Sequence, residues 1–125
     1  EPRSIVIQPW DMSMLKEIEK AINLAEIGIN PMNDGKIIRL NFPELTEERR
    51  KELVKEIRKT AEEAKVAIRS IRRDGIDAAR QAQKNSELTE DELSSAEDKI
   101  QKMTDVKISE IDELLGKKEK EIMTV

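Results

Sequence analysis

The 125-residue sequence has no cysteine, no histidine and no tyrosine, and its only aromatic side chains are Trp10 and Phe42. Each absence excludes something. Without cysteine there is no disulfide framework and no thiolate chemistry, which fits a reducing, cytoplasmic setting. Without histidine as well, nucleophilic triads and the usual zinc sites are excluded. The four glycines, Gly28, Gly35, Gly75 and Gly116, stand alone, so no glycine-rich phosphate loop is present. No apolar run approaches the ~20 residues that span a bilayer, and no signal-peptide pattern opens the chain, so no membrane partner is expected. Carboxylates are numerous, but on long solvated helices they serve solubility rather than general acid–base work. No metal site, no cofactor and no enzymatic activity are expected.

What is present is charge. Asp, Glu, Lys and Arg make up 40% of the residues, and the net charge is −4. A composition rich in Glu, Lys, Ile and Leu belongs to long amphipathic helices. The chain does not begin with Met, and EPRSIVIQPW reads as the middle of a strand, so a piece of a longer protein is expected.

Residues 1–43 carry the strand and turn signals and are expected to form a partial α/β lobe. RSIVIQ (3–8) is β-branched and bounded by Pro2 and Pro9, which predicts a strand. Asp11 or Ser13 caps a helix with apolar residues at Leu15, Ile18, Ile22 and Ala25, ending at Gly28. NPMNDG (30–35) predicts a turn or loop, and KIIRLNF (36–42) a second strand. Trp10 is expected to anchor the packing of this lobe.

Residues 44–125 are expected to form a helical domain, which makes the fold class α+β. Thr46 caps a helix running to about Lys84, with apolar residues at Leu53, Ile57, Ala61, Ala64, Ile68, Ile71, Ala78 and Ala82. Gly75 falls in that seam, where close backbone approach or a bend is expected. Thr89 and Glu92 make a T-x-x-E capping box for a second helix, with its seam at Leu93, Ala96, Ile100, Met103, Ile108, Ile111, Leu115 and Ile122. The short connection makes the two helices antiparallel neighbours, each ~50 Å long.

The charge is segregated. Residues 46–84 hold 12 basic and 8 acidic side chains, a balance of +4, whereas residues 85–125 hold 6 and 12, a balance of −6. At ~100° per residue, Arg58, Lys65, Arg69, Arg72 and Arg80 fall within a stripe about 80° wide, centred roughly 120° from the seam. Arg73 sits at its edge, Ile76 lies within it, and Glu62 interrupts it. Guanidinium groups bind phosphates bidentately, so the stripe suits a localised contact on structured RNA. The plain alternative is a coiled-coil structural or adaptor protein whose arginines form a solvated face.

Two runs carry a likeness to a known family: GINPMNDGKIIRLNFPELTEERRKELVKEIRKTAEEAKVAIRSIRRD (28–74), and ELTEDE with DKIQKMTDVKISEIDELLGKKEKEI. Together they resemble the bacterial ribosome recycling factor, and WDMSMLKEIEKAI resembles the helix of that family's smaller lobe. The resemblance implies a three-helix bundle joined by a hinge to a compact α/β lobe. It implies partners in the large ribosomal subunit with its RNA and in elongation factor G, together splitting the ribosome after termination. It makes Arg69 and Arg72 the principal RNA-contacting positions, with Arg73 beside them, and places Pro43, Glu44, Leu45 and Thr46 in the interlobe hinge. Arg58, Lys65 and Arg80 are candidates from the stripe alone. Relative to the family, the N-terminal helix and the first part of the lobe are absent from this chain. The open face of the hairpin, with Ile57, Ile68, Ile71, Ile100, Ile111 and Leu115, is then expected to drive self-association, as a four-helix bundle of two hairpins.

Overall fold

A computed structural model describes residues 2–124 and divides the chain into two compact units, one ending at Leu45 and the other starting at Thr46. The first unit is a small three-stranded antiparallel sheet with one helix. Its strands are β1 (Ser4–Ile7), β2 (Met32–Asn33) and β3 (Ile38–Asn41), in the order β1-β3-β2. Ser4 pairs with Asn41 and Ile7 with Ile38 on one side of β3, while Met32 pairs with Arg39 on the other.

Alternation fixes the faces of β3. Ile38 and Leu40 are buried whereas Arg39 and Asn41 are exposed, as a half-buried strand requires. Onto that buried face comes the helix α1 (Leu15–Leu24), with Leu15 buried and Ile18 and Ile22 packed on the same cluster as Ile7, Ile29 and Phe42. Asp11 caps a 3-10 turn at Met12–Met14 that leads into α1, accepting from the Ser13 N–H at 2.9 Å. That bond holds the Asp11 carboxyl below its ordinary value.

Three expectations for this unit change. The 30–35 segment is not all loop: Met32 and Asn33 pair with β3, and the reversal is confined to the residues between. There Asp34 accepts from the N–H groups of Lys36 and Ile37, and Gly35 takes a φ of 91° that suits glycine. Helix α1 stops at Leu24, earlier than Gly28, because Glu26 already turns left-handed at φ 49°. Trp10 is fully exposed and takes no part in the core of this unit; Phe42 is the ring that packs against the cluster.

The second unit is a hairpin of two long helices, α2 (Glu47–Lys84) and α3 (Glu90–Met123). Thr46 accepts from the Arg49 N–H at 3.0 Å, and Thr89 exchanges both bonds of its capping box with Glu92. The connection is a Schellman motif. The Glu87 N–H reaches the Ala82 carbonyl at 2.9 Å and the Ser86 N–H reaches Gln83 at 3.0 Å, with Ser86 left-handed at φ 61°.

Two helices alone bury only a narrow line. Ala61, Thr104 and Ile122 are its most enclosed members, and Leu53, Ile57, Ala64, Ile68, Ile100, Ile111 and Leu115 are half-buried. The seam runs through Gly75, Ile76 and Ala79 rather than through Ile71 and Ala78. Ile71 is 69% exposed and Met103 65%, so both leave the expected seam. At ~100° per residue they sit roughly 80–100° off the row that faces the other helix. Leu114, also exposed, lies on the same flank of α3.

Gly75 is a regular helical residue opposite Ile100, and a Cβ added there would lie 3.5 Å from Ile100 Cδ1, an ordinary contact. Gly75→Ala is therefore expected to stabilise the helical unit by about 0.5–1 kcal/mol through lower unfolded-state entropy. A thermal melt should rise by about 2–5 °C; an unchanged or lower midpoint would show that the helices close against that glycine.

Candidate nucleic-acid interface

All six candidate contact residues lie on α2, and α3 divides them. With Ala61 marking the middle of the row that faces α3, Arg72 and Lys65 lie within about 40° of it. Arg58 and Arg69 follow at roughly 60–80°, and Arg80 and Arg73 at roughly 100–120°. The stripe thus runs along one edge of the helix contact rather than over an independent face.

Across that edge α3 presents a polar row of its own. Arg58 Nε donates to Glu119 Oε1 at 2.6 Å and Nη2 to Oε2 at 3.4 Å. Lys65 pairs with Asp112 and, on its own helix, with Glu62 at 3.4 Å. Arg72 Nη1 donates to Gln101 Oε1 at 3.2 Å, and Arg80 Nε donates to Glu97 Oε1 at 3.1 Å. At the open end of the hairpin, Arg50 Nη1 donates to the carbonyls of Ile122 at 2.8 Å and Thr124 at 3.0 Å, satisfying the last turn of α3.

These pairings set the local electrostatics. The hydrogen bond to Glu119 raises the Arg58 pKa further, and the same bond holds the Glu119 carboxyl below its ordinary value. The bond to Asp112 holds the Lys65 ammonium protonated above the ordinary lysine range, against the opposing effect of its partial burial.

Charge compensation therefore differs along the stripe. Arg58, Lys65 and Arg80 each face a carboxylate on α3. Arg72 faces a neutral amide. Arg69 and Arg73 are exposed and make no hydrogen bond or ion pair with the described residues. The three arginines without a carboxylate partner lie within about one helical turn of one another.

Sequence reasoning from α2 alone did not single out Gln101 or Arg50. The acidic balance of residues 85–125 announced carboxylate partners for a basic helix, but Gln101 is neutral and left no such mark. Arg50 left none either, because its acceptors are backbone carbonyls. Of the proposed hinge residues, Pro43, Glu44 and Leu45 end the first unit and Thr46 caps α2; Glu44 pairs with Arg3 at 3.5 Å. Among the described residues no helix is long and apolar enough to cross a membrane, and no group of three His, Cys, Asp or Glu is placed to hold a metal.

Comparison with known proteins gives this arrangement a context. The family model described as "Ribosome recycling factor" matches residues 1–123. The ribosome-recycling factor of Caldicellulosiruptor saccharolyticus is 63% identical over 125 residues, covering 100% of this chain and 68% of its own length. That of Acetivibrio thermocellus is 65% identical over the same span, and that of Clostridioides difficile 58%, each again with 68% of its length covered. A solution structure of the ribosome recycling factor superposes over 100% of this chain and 66% of its own, with a TM-score of 0.67 at 45% identity. The T. thermophilus ribosome recycling factor, described together with E. coli elongation factor G bound to the E. coli post-termination complex, matches 98% of this chain and 66% of its own. Its TM-score is 0.56 at 50% identity. With a family match over nearly its whole length and relatives above half identity, the chain belongs to the ribosome recycling factor family.

Proposed function

We propose that this chain serves a non-enzymatic translation factor of the cytoplasm that binds RNA of the large ribosomal subunit through Arg69, Arg72 and Arg73. With elongation factor G as partner, it splits the ribosome after termination. The observation that carries this reading is the gap in charge compensation: of the six basic candidates, these three have no carboxylate partner among the described residues and cluster within a turn. Guanidinium groups so placed present forked donors to phosphate oxygens. Support for the partners comes from the relative described with elongation factor G on a post-termination complex. Arg58, Lys65 and Arg80 serve instead to hold α2 on α3, and residues 43–46 serve as the hinge between lobes. The exposed flank at Ile71, Met103 and Leu114 is a surface for a further helix, and hairpins that leave it open self-associate through it.

The test is binding to isolated large ribosomal subunits at several salt concentrations. Arg69→Ala and Arg72→Ala should each weaken binding about fivefold to tenfold and reduce the log–log salt slope by nearly one, as loss of a phosphate contact demands. Unchanged affinity in both variants would favour the adaptor reading, in which the arginines only face solvent.

A different outcome is expected at Glu119. Its carboxyl is held below the ordinary value, so its pairing with Arg58 stabilises the fold above that value and is lost as pH falls through the depressed one. Glu119→Gln should melt below the parent near pH 7 and converge with it in acid, with affinity for the subunit unaltered. Equal melting of the two proteins at pH 7 would show that the pair holds nothing.

A further inference from the structure

Arg72 is the one cross-helix basic residue in the stripe whose partner on α3 is neutral, and that partner is itself held in place. Gln101 Oε1 accepts from Arg72 Nη1 at 3.2 Å, and Gln101 Nε2 donates to Asp105 Oδ1 at 2.9 Å, one turn along α3. The second bond fixes which end of the amide faces the guanidinium. Turned over, Gln101 would bring two sets of donors together at Arg72 and lose its acceptor at Asp105. The amide therefore holds Arg72 half-buried against α3 by a single donor, leaving the rest of the fork unused. Elsewhere along the same edge α3 uses Glu97, Asp112 and Glu119, each of which cancels the charge that it holds.

We propose that Gln101 is a positioning residue for RNA contact: it orients Arg72 through a neutral acceptor so that the charge of Arg72 remains available to a phosphate. The proposal rests on the RNA-binding reading above and deepens it. A carboxylate at 101 would hold the guanidinium more firmly and compete with phosphate for it. An apolar residue there would leave the charge and remove the orientation.

Gln101→Glu made together with Asp105→Asn separates this from a purely structural role: the amide at 105 then donates to the carboxylate at 101, the net charge is unchanged, and firmness of the hairpin and affinity for phosphate move in opposite directions. In the full chain, this double variant should melt at or above the parent temperature. Titrated onto isolated large ribosomal subunits at several potassium chloride concentrations, it should bind about fivefold more weakly, with a salt slope lower by nearly one, as for Arg72→Ala. Gln101→Leu should bind about two- to threefold more weakly while keeping the parent's slope, because the phosphate contact survives with less order. If the Q101E/D105N double variant binds with the parent's affinity and slope while Arg72→Ala is weakened, the role of Gln101 is refuted and the RNA-binding reading stands. If Arg69→Ala and Arg72→Ala bind like the parent, that reading fails and the role of Gln101 falls with it.

Discussion

The polar interlock along one edge of α2 and α3 is what the helical unit depends on. The apolar line between the helices is thin, and two of its three most enclosed points, Ala61 and Thr104, carry small or short side chains. Its residues recur every three or four positions, so a slip by one turn would find much the same apolar surface. The ion pairs Arg58–Glu119, Lys65–Asp112 and Arg80–Glu97 recur only about every seven or eight residues, so a one-turn slip leaves each without its partner. Singly, half-exposed pairs contribute little stability. Collectively the three ion pairs penalise a slip by one turn, which would part all of them, as flanking charges do in coiled coils.

Sharing one helix edge between fastening and the proposed RNA contact has a cost that partner chemistry resolves. A basic side chain held by a carboxylate is fastened and electrically spent. One held by an amide is fastened and still charged, and one held by nothing is charged but loosely oriented. The stretch from Arg69 to Arg73 contains the second and third kinds, flanked on both sides by the first. An acidic protein can in this way keep a small, localised positive surface without the broad field that would coat it with nucleic acid.

Much of the fold could be seen in the sequence because it is written in local signals. Thr46, Thr89 and Glu92 cap through neighbours three residues away, so their roles needed no tertiary knowledge. The hairpin followed from two seams and a short connection. What stayed hidden required the partner helix. Ile71 and Ile76 are both apolar and both near the seam of α2, and only the direction of approach of α3 decides that Ile76 is covered and Ile71 is not. The same holds for the basic stripe, whose spacing on α2 cannot distinguish Arg58 from Arg69. Trp10 misled for a simpler reason: a large ring suggests a core, but three short strands and one helix enclose only a few aliphatic side chains.

The order of the rungs along the hairpin has a kinetic meaning. Sequence separations grow from 17 residues at Arg80–Glu97 to 29 at Arg72–Gln101, 61 at Arg58–Glu119 and 72 where Arg50 meets the carbonyl of Ile122. Once the Schellman turn has reversed the chain, each rung needs only a short further loop to close, so the helices zip from the turn outward. Opening runs the other way, beginning at the grip of Arg50 on the end of α3. Arg69, Arg72 and Arg73 sit on the part of the zipper that closes early and opens late. The charged cluster is therefore carried by backbone that stays helical while the far end of the hairpin frays.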